Sequence, residues 1–225
     1  YESKNQDVRF ARVDSDVIEK LIQKDEDIKM SLTEGQQELL TPVFESQMPK
    51  DEKIHYSISF EAMSPDEAPV VITQNEFMRR MKEMAQMGGG GMSQFYGQMP
   101  DNFTIAVNGN HPIVIDILAD VEKAYGDKLK TMTKKIDAAV AEEKRFEEVT
   151  KDKKEADLSA EEKEQREQLD KRAEELRSQR DGRLREIGGK NEIVKQLIDL
   201  ALLSNGMLKG EALAAFIKRS VDLIG

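Results

Sequence analysis

Side chains able to do chemistry are few here, apart from carboxylates. The 225 residues include two histidines, no cysteine, and 44 acidic against 34 basic residues. His55 falls on the polar side of an alternating apolar run, and His111 sits in Asn110-His111-Pro112 just beyond another. They are not at a metal-ligand spacing, which sets such residues a few positions apart. The lack of cysteine excludes disulfides, thiolate metal sites and a Cys nucleophile together, and it suits a reducing, cytoplasmic setting. The four glycines Gly88 to Gly91 close an expected helix instead of opening one, the wrong end for cradling an anion. Carboxylates abound, but abundance along helices does not make a general acid–base pair. The chain is therefore expected not to be an enzyme, with no catalytic, cofactor-binding or metal-binding residue.

What remains is the chemistry of binding. Phe77, Met78, Met81, Met84 and Met87 lie on or near one side of an expected helix from Asn75 to Met87, with Arg79, Arg80, Lys82 and Glu83 opposite. Thr73 and Glu76 stand at capping-box spacing before it. Six of the eleven methionines fall between positions 78 and 99. Methionine is flexible and polarizable, so such a surface fits many partners. The stripe either packs on a neighbouring sheet or contacts partner proteins, and periodicity alone leaves both open.

The last two helices carry the second binding feature. Ile193, Leu197, Leu200, Ala201 and Leu203 form one stripe, broadened by Val194, Ile198 and Leu202; Asn205-Gly206 stops that helix. Leu213, Phe216, Ile217, Val221 and Ile224 form the next stripe. Helices apolar over so wide an arc need more cover than each other and one small sheet. A two-fold four-helix bundle between two copies is the economical solution.

Other elements must hold these surfaces in place. Val8, Phe10 and Val13 read as a strand and Val17 to Ile22 as a helix, together the tail end of a preceding domain. Tyr1 in place of Met reads as a cut inside a longer protein. A helix is expected from Ser31 to about Ser46, restarting at Thr41-Pro42. Ile54, Tyr56, Ile58 and Phe60 alternate with polar residues as a strand, followed by strands at Val70–Ile72 and Phe103–Val107. From about Val121 to Ile187 the pattern changes. Leu129, Met132, Ile136, Ala139 and Phe146, then Leu169, Ala173, Leu176, Leu184 and Ile187, predict two antiparallel helices of roughly 30 residues, about 45 Å long. Ser159 and Glu162 form a capping box between them. Asp120 to Lys190 holds 20 acidic and 19 basic residues, a density of mixed signs that reads as a solvated arm. With a formal charge of −10 and no basic stripe, nucleic acid is not an expected partner. Nor is a membrane, since no apolar run nears the roughly 20 residues a span needs.

The order of these motifs is itself informative. Phe77-Met78-Arg79-Arg80-Met81, then Asn110-His111-Pro112-Ile113-Val114, then Leu200-Ala201-Leu202-Leu203-Ser204-Asn205-Gly206 and a final amphipathic helix, resembles the C-terminal domain of the heat shock protein 90 chaperones, of the bacterial high-temperature protein G type. The resemblance covers about residues 31–120 and 190–225. It implies the homodimerisation domain of an ATP-dependent chaperone, with Ile193 to Leu203 and Leu213 to Ile224 as dimer contacts. It further implies that Phe77 to Met87 meet unfolded or partly folded client proteins. ATP and Mg would belong to other domains of the parent, and no cofactor is expected in this stretch. Two features depart from the family pattern: the long helical hairpin, and an ending at Val221-Asp222-Leu223-Ile224-Gly225 without the acidic tail that docks cochaperone repeats.

The expected fold is α+β: a small three-stranded sheet with helices, a long antiparallel coiled-coil hairpin insertion, and C-terminal helices forming a dimeric four-helix bundle. The expected divisions are 1–30 as the end of a middle domain, 31–120 with 188–225 as the dimerisation and client-contact domain, and 121–187 as the insertion. The alternative is a coiled-coil scaffold that recruits a specific protein partner through the hairpin.

Overall fold

A computed structural model describes residues 28–75, 79–81, 84, 100–151, 153 and 158–224, with 223 and 224 as main chain only. The strand and helix expected within 1–30 lie outside these residues. Helix α1 spans Glu34–Glu45 and begins at a capping box, in which the Gln36 N–H donates to Thr33 Oγ1 and Gln36 Oε1 accepts from the Thr33 N–H. The expected restart at Thr41-Pro42 does not occur. Thr41 Oγ1 donates back to the Gln37 carbonyl at 2.9 Å, as a mid-helix threonine does. Pro42 costs the helix about 3 kcal/mol. Leu40, Val43 and Phe44, all fully buried around it, contribute about 1.5–3 kcal/mol each, so packing wins over propensity.

Strands β1 (Ile54–Glu61), β2 (Val70–Gln74) and β3 (Asp101–Asn108) form one sheet in the order β1-β3-β2. β1 runs parallel to the central β3, and β2 runs antiparallel to it. The register aligns Tyr56 with Phe103, Ile58 with Ile105 and Phe60 with Val107, then Val70 with Val107 and Ile72 with Ile105. Because strand side chains alternate, these residues share one face. Tyr56 stacks on Phe103 at 6.1 Å, and Phe44 of α1 meets Phe60 edge-on at 6.4 Å. Ser57 and Thr104, whose hydroxyls are 3.2 Å apart, belong to the opposite face.

The end of β3 is a polar knot. Asn108 Nδ2 donates to the Ser64 carbonyl at 2.8 Å, and Asn110 Nδ2 donates to the Met63 carbonyl at 2.9 Å. A Cβ on Gly109 would stand 2.3 Å from Met30 Sδ, so the entering chain passes over a residue with no side chain. His111 then caps α2 (Pro112–Tyr125), its Nδ1 accepting from the Ile113 N–H. Gly126, at φ +70°, ends α2 and leads into α3 (Asp127–Thr150).

Helix α4 (Ala160–Gly188) starts at the expected Ser159–Glu162 capping box. It packs on α3 through Leu129, Ile136, Ala139, Ala173 and Leu184, with Glu142 and Arg172 paired at 2.9 Å. Its last turns also join α1. Buried Arg180 reaches Glu38 and Asp181, Arg185 reaches Glu45 at 3.0 Å, and Gln47 Nε2 donates to the Gly188 carbonyl at 2.7 Å. Helices α5 (Glu192–Ser204) and α6 (Gly210–Ile224) complete the fold, α5 capped by Asn191 and stopped at Asn205-Gly206 with Gly206 at φ +67°.

Candidate functional site

Helix α5 buries Val194, Leu197, Ile198, Ala201 and Leu202 in the core it shares with the sheet and α1. Spacings of three and four residues then divide its remaining surface. Ile193, Leu200 and Leu203 stay exposed, Leu200 to 46%. A further row, Glu192, Gln196 and Asp199, carries the side chains that meet α6.

Helix α6 turns Leu213 and Phe216 inward, partly buried against the core. Beyond Phe216 the inward row becomes polar. Gln196 Nε2 donates to Ser220 Oγ at 2.5 Å, and Arg219 donates to Asp199 through Nη2. Asp199 is 1% exposed and also takes Lys195 Nζ at 2.7 Å. Arg219 Nε and Gln196 Oε1 are buried without hydrogen-bond partners, although Arg219 Nε stands 3.9 Å from Glu192. One step around α6, Ile217 and Val221 are 54% and 64% exposed, in line with exposed Ala214.

The ten residues expected at a dimer contact thus divide. Ile193, Leu200, Leu203, Ile217 and Val221 are exposed; Leu213 and Phe216 are partly buried. Leu197 and Ala201 are core residues of this chain, because they lie on the side of α5 that meets the sheet and α1, so a partner would find a narrower face. The Ile224 side chain is outside the described residues.

Of the methionine stripe, Met84 is 67% exposed and Met81 is partly buried, whereas Phe77, Met78 and Met87 lie outside the described residues. Thr73 does not cap the helix as expected. It is buried in β2 opposite Thr104, with Gln74 still in the strand, and its expected partner Glu76 lies outside the described residues; a helical bond runs from the Arg79 N–H to the Asn75 carbonyl. Among the described residues, no three His, Asp or Glu side chains gather where they could hold a metal, and no helix is long and apolar enough to cross a membrane.

Sequence reasoning overlooked the polar set on α5 and α6. Its one signal was Asp199 inside Leu197-Ile198-Asp199-Leu200, a lone carboxylate in an apolar run. A buried charge persists only when paired, so that position called for a cation.

Comparisons with known proteins give one consistent result. The chain is 42% identical over 223 residues to the chaperone protein HtpG of Bacteroides fragilis, 42% over 224 to that of Bacteroides thetaiotaomicron, and 36% over 223 to that of Porphyromonas gingivalis. Each alignment takes in 99% of this chain and 32% of the relative, so the chain spans about a third of the length of the curated relatives it matches. No family model and no solved structure matches it.

Proposed function

We propose, from the premise that this chain is kin to the HtpG chaperones along nearly all of its length, that it is the homodimerisation and client-contact part of an ATP-dependent, cytoplasmic chaperone that assists folding under stress. The observation that carries this reading is the set of exposed large apolar side chains shared by α5 and α6: Ile193, Leu200, Leu203, Ile217 and Val221. A second copy related by a two-fold axis would convert the two helices into a four-helix bundle.

Each of these five side chains is already part covered. Burying the rest contributes about 1 kcal/mol apiece, or roughly 10 kcal/mol over two copies. Association costs about 4–15 kcal/mol in lost freedom. Gain and cost are of one order, so alignment of the stripes decides the affinity as much as area does.

Exposed Met84 supports a client surface in addition to the dimer contact, since an adaptable thioether in solvent suits partners of varied shape. Helices α3 and α4 are read as a coiled-coil hairpin whose base is tied to α1. In this reading ATP and Mg act elsewhere in the parent, and this part contributes no nucleotide-binding residue. Multi-angle light scattering tests the reading. A mass of twice 25.5 kDa at micromolar concentration is expected, and a mass of one chain at every concentration overturns it.

A further inference from the structure

We infer that Asp199 and Arg219 form an ionic latch that sets the rotation of α6 on α5 and so aligns their exposed apolar stripes into one face. The inference deepens the dimer reading and rests on it.

Helix α6 could seat itself on α5 in two ways. The helix has two apolar rows side by side, Leu213 with Phe216 and Ala214 with Ile217 and Val221. Either could face α5. Burial alone does not choose between them, because a turn of about 100° exchanges one row for its neighbour. In the structure the first row faces inward, and α6 touches the rest of the chain chiefly through α5. Among the described residues, its apolar anchorage ends at Phe216. The turns beyond are held by Ser220 on Gln196 and Arg219 on Asp199.

These contacts are directional where apolar packing is not. Asp199 is almost wholly buried, so it cannot exchange the Arg219 guanidinium for water at little cost. Turning Ile217 and Val221 inward would carry Arg219 out of reach and leave that carboxylate with Lys195 alone. A buried polar pair can thus specify one arrangement among several of similar apolar burial, a role best attested for helix register. The arrangement specified here leaves Ile217 and Val221 in solvent, as Ile193 and Leu200 are on α5, for a partner to cover.

The test is a double-mutant cycle read by sedimentation equilibrium on the 225-residue chain, with Arg219→Gln, Asp199→Asn and both together. Each single change is expected to weaken the dimer about tenfold or more, and the double change to weaken it by far less than the product of the two. Arg219→Lys, which keeps the charge, is expected to recover much of the affinity. Urea unfolding below the dissociation constant separates positioning from general damage: each single change strips a partner from a buried charge and is expected to lower the midpoint, yet to leave the chain folded without urea. An unchanged dissociation constant in Arg219→Gln, independent effects of the two changes, or a weakening seen only in chains that no longer fold without urea each overturns the latch. A parent chain that is monomeric throughout removes the dimer reading and the latch with it, whereas a dimeric parent indifferent to Arg219→Gln removes the latch alone.

Discussion

Asn110 Oδ1 accepts the main-chain N–H of Ser31 at 2.7 Å, across 79 positions of sequence. The bond ties the chain entering α1 to the end of the central strand. The same side chain donates to the Met63 carbonyl, so one buried amide joins three segments. Ser31 is exposed and can turn to water, whereas a Met63 carbonyl deprived of its donor is poorly placed to do so. Asn110→Ala is therefore expected to cost about 1–3 kcal/mol in urea unfolding. Asn110→Asp should cost more at neutral pH, since it sets a buried carboxylate against a carbonyl oxygen.

Two glycines of α4 should respond in opposite directions. A Cβ on Gly188 would lie 2.5 Å from the Val43 carbonyl oxygen, and Gly188→Ala must push α4 off α1. A loss of about 1–3 kcal/mol is expected. Gly182 has nothing within 4 Å of such a Cβ, so Gly182→Ala should stabilise the helix by about 0.5–1 kcal/mol. Thermal unfolding of both variants checks the contrast.

Acid should loosen the start of α4. Lys153 beside Glu162, together with the Ser159 N–H, holds that carboxyl below its usual 4.5. A depressed folded value means stabilisation that is complete above about 4.5 and is lost as pH falls through the depressed value. Hydrogen exchange at residues 160–163, corrected for intrinsic rates, should show protection falling in that window. Glu162→Gln keeps the capping geometry without the charge and should flatten the dependence.

Leu200→Glu with Ile217→Glu should halve the solution mass while leaving the urea midpoint of the monomer nearly unchanged. Both side chains already stand in solvent, so a charge at either harms only an association. Leu197→Glu would give no such separation, because Leu197 is part of the core.

On the proposed client-contact reading, Met84→Glu should weaken suppression of aggregation by the full-length protein while leaving its solution mass unchanged. The side chain is 67% exposed, so little folding stability is at stake. Loss of folding in this variant would assign the methionine to a core.

Local signals were legible in sequence wherever one element sufficed to express them. The alternation through Ile54, Tyr56, Ile58 and Phe60 marked β1, and Ser159 with Glu162 marked the start of α4, because each pattern is local. Asn205-Gly206 likewise marked the end of α5. Pro42 misled, since its cost is local while the burial that outweighs it comes from the sheet and α4. Thr73 misled as well, because capping-box spacing does not reveal that the strand continues to Gln74.

The wide apolar arcs of the last two helices were determined by the sequence itself, as was the expectation that one face would be left uncovered. Which residues form that face was decided only in three dimensions. Leu197 and Leu200 carry the same side chain on neighbouring rows, and periodicity cannot tell an inner row from an outer one. On α5 the packing against the sheet and α1 makes the choice, and on α6 it falls to groups distant in sequence, Asp199 with Arg219 and Gln196 with Ser220. A buried charge must find its counterion wherever the fold brings one within reach.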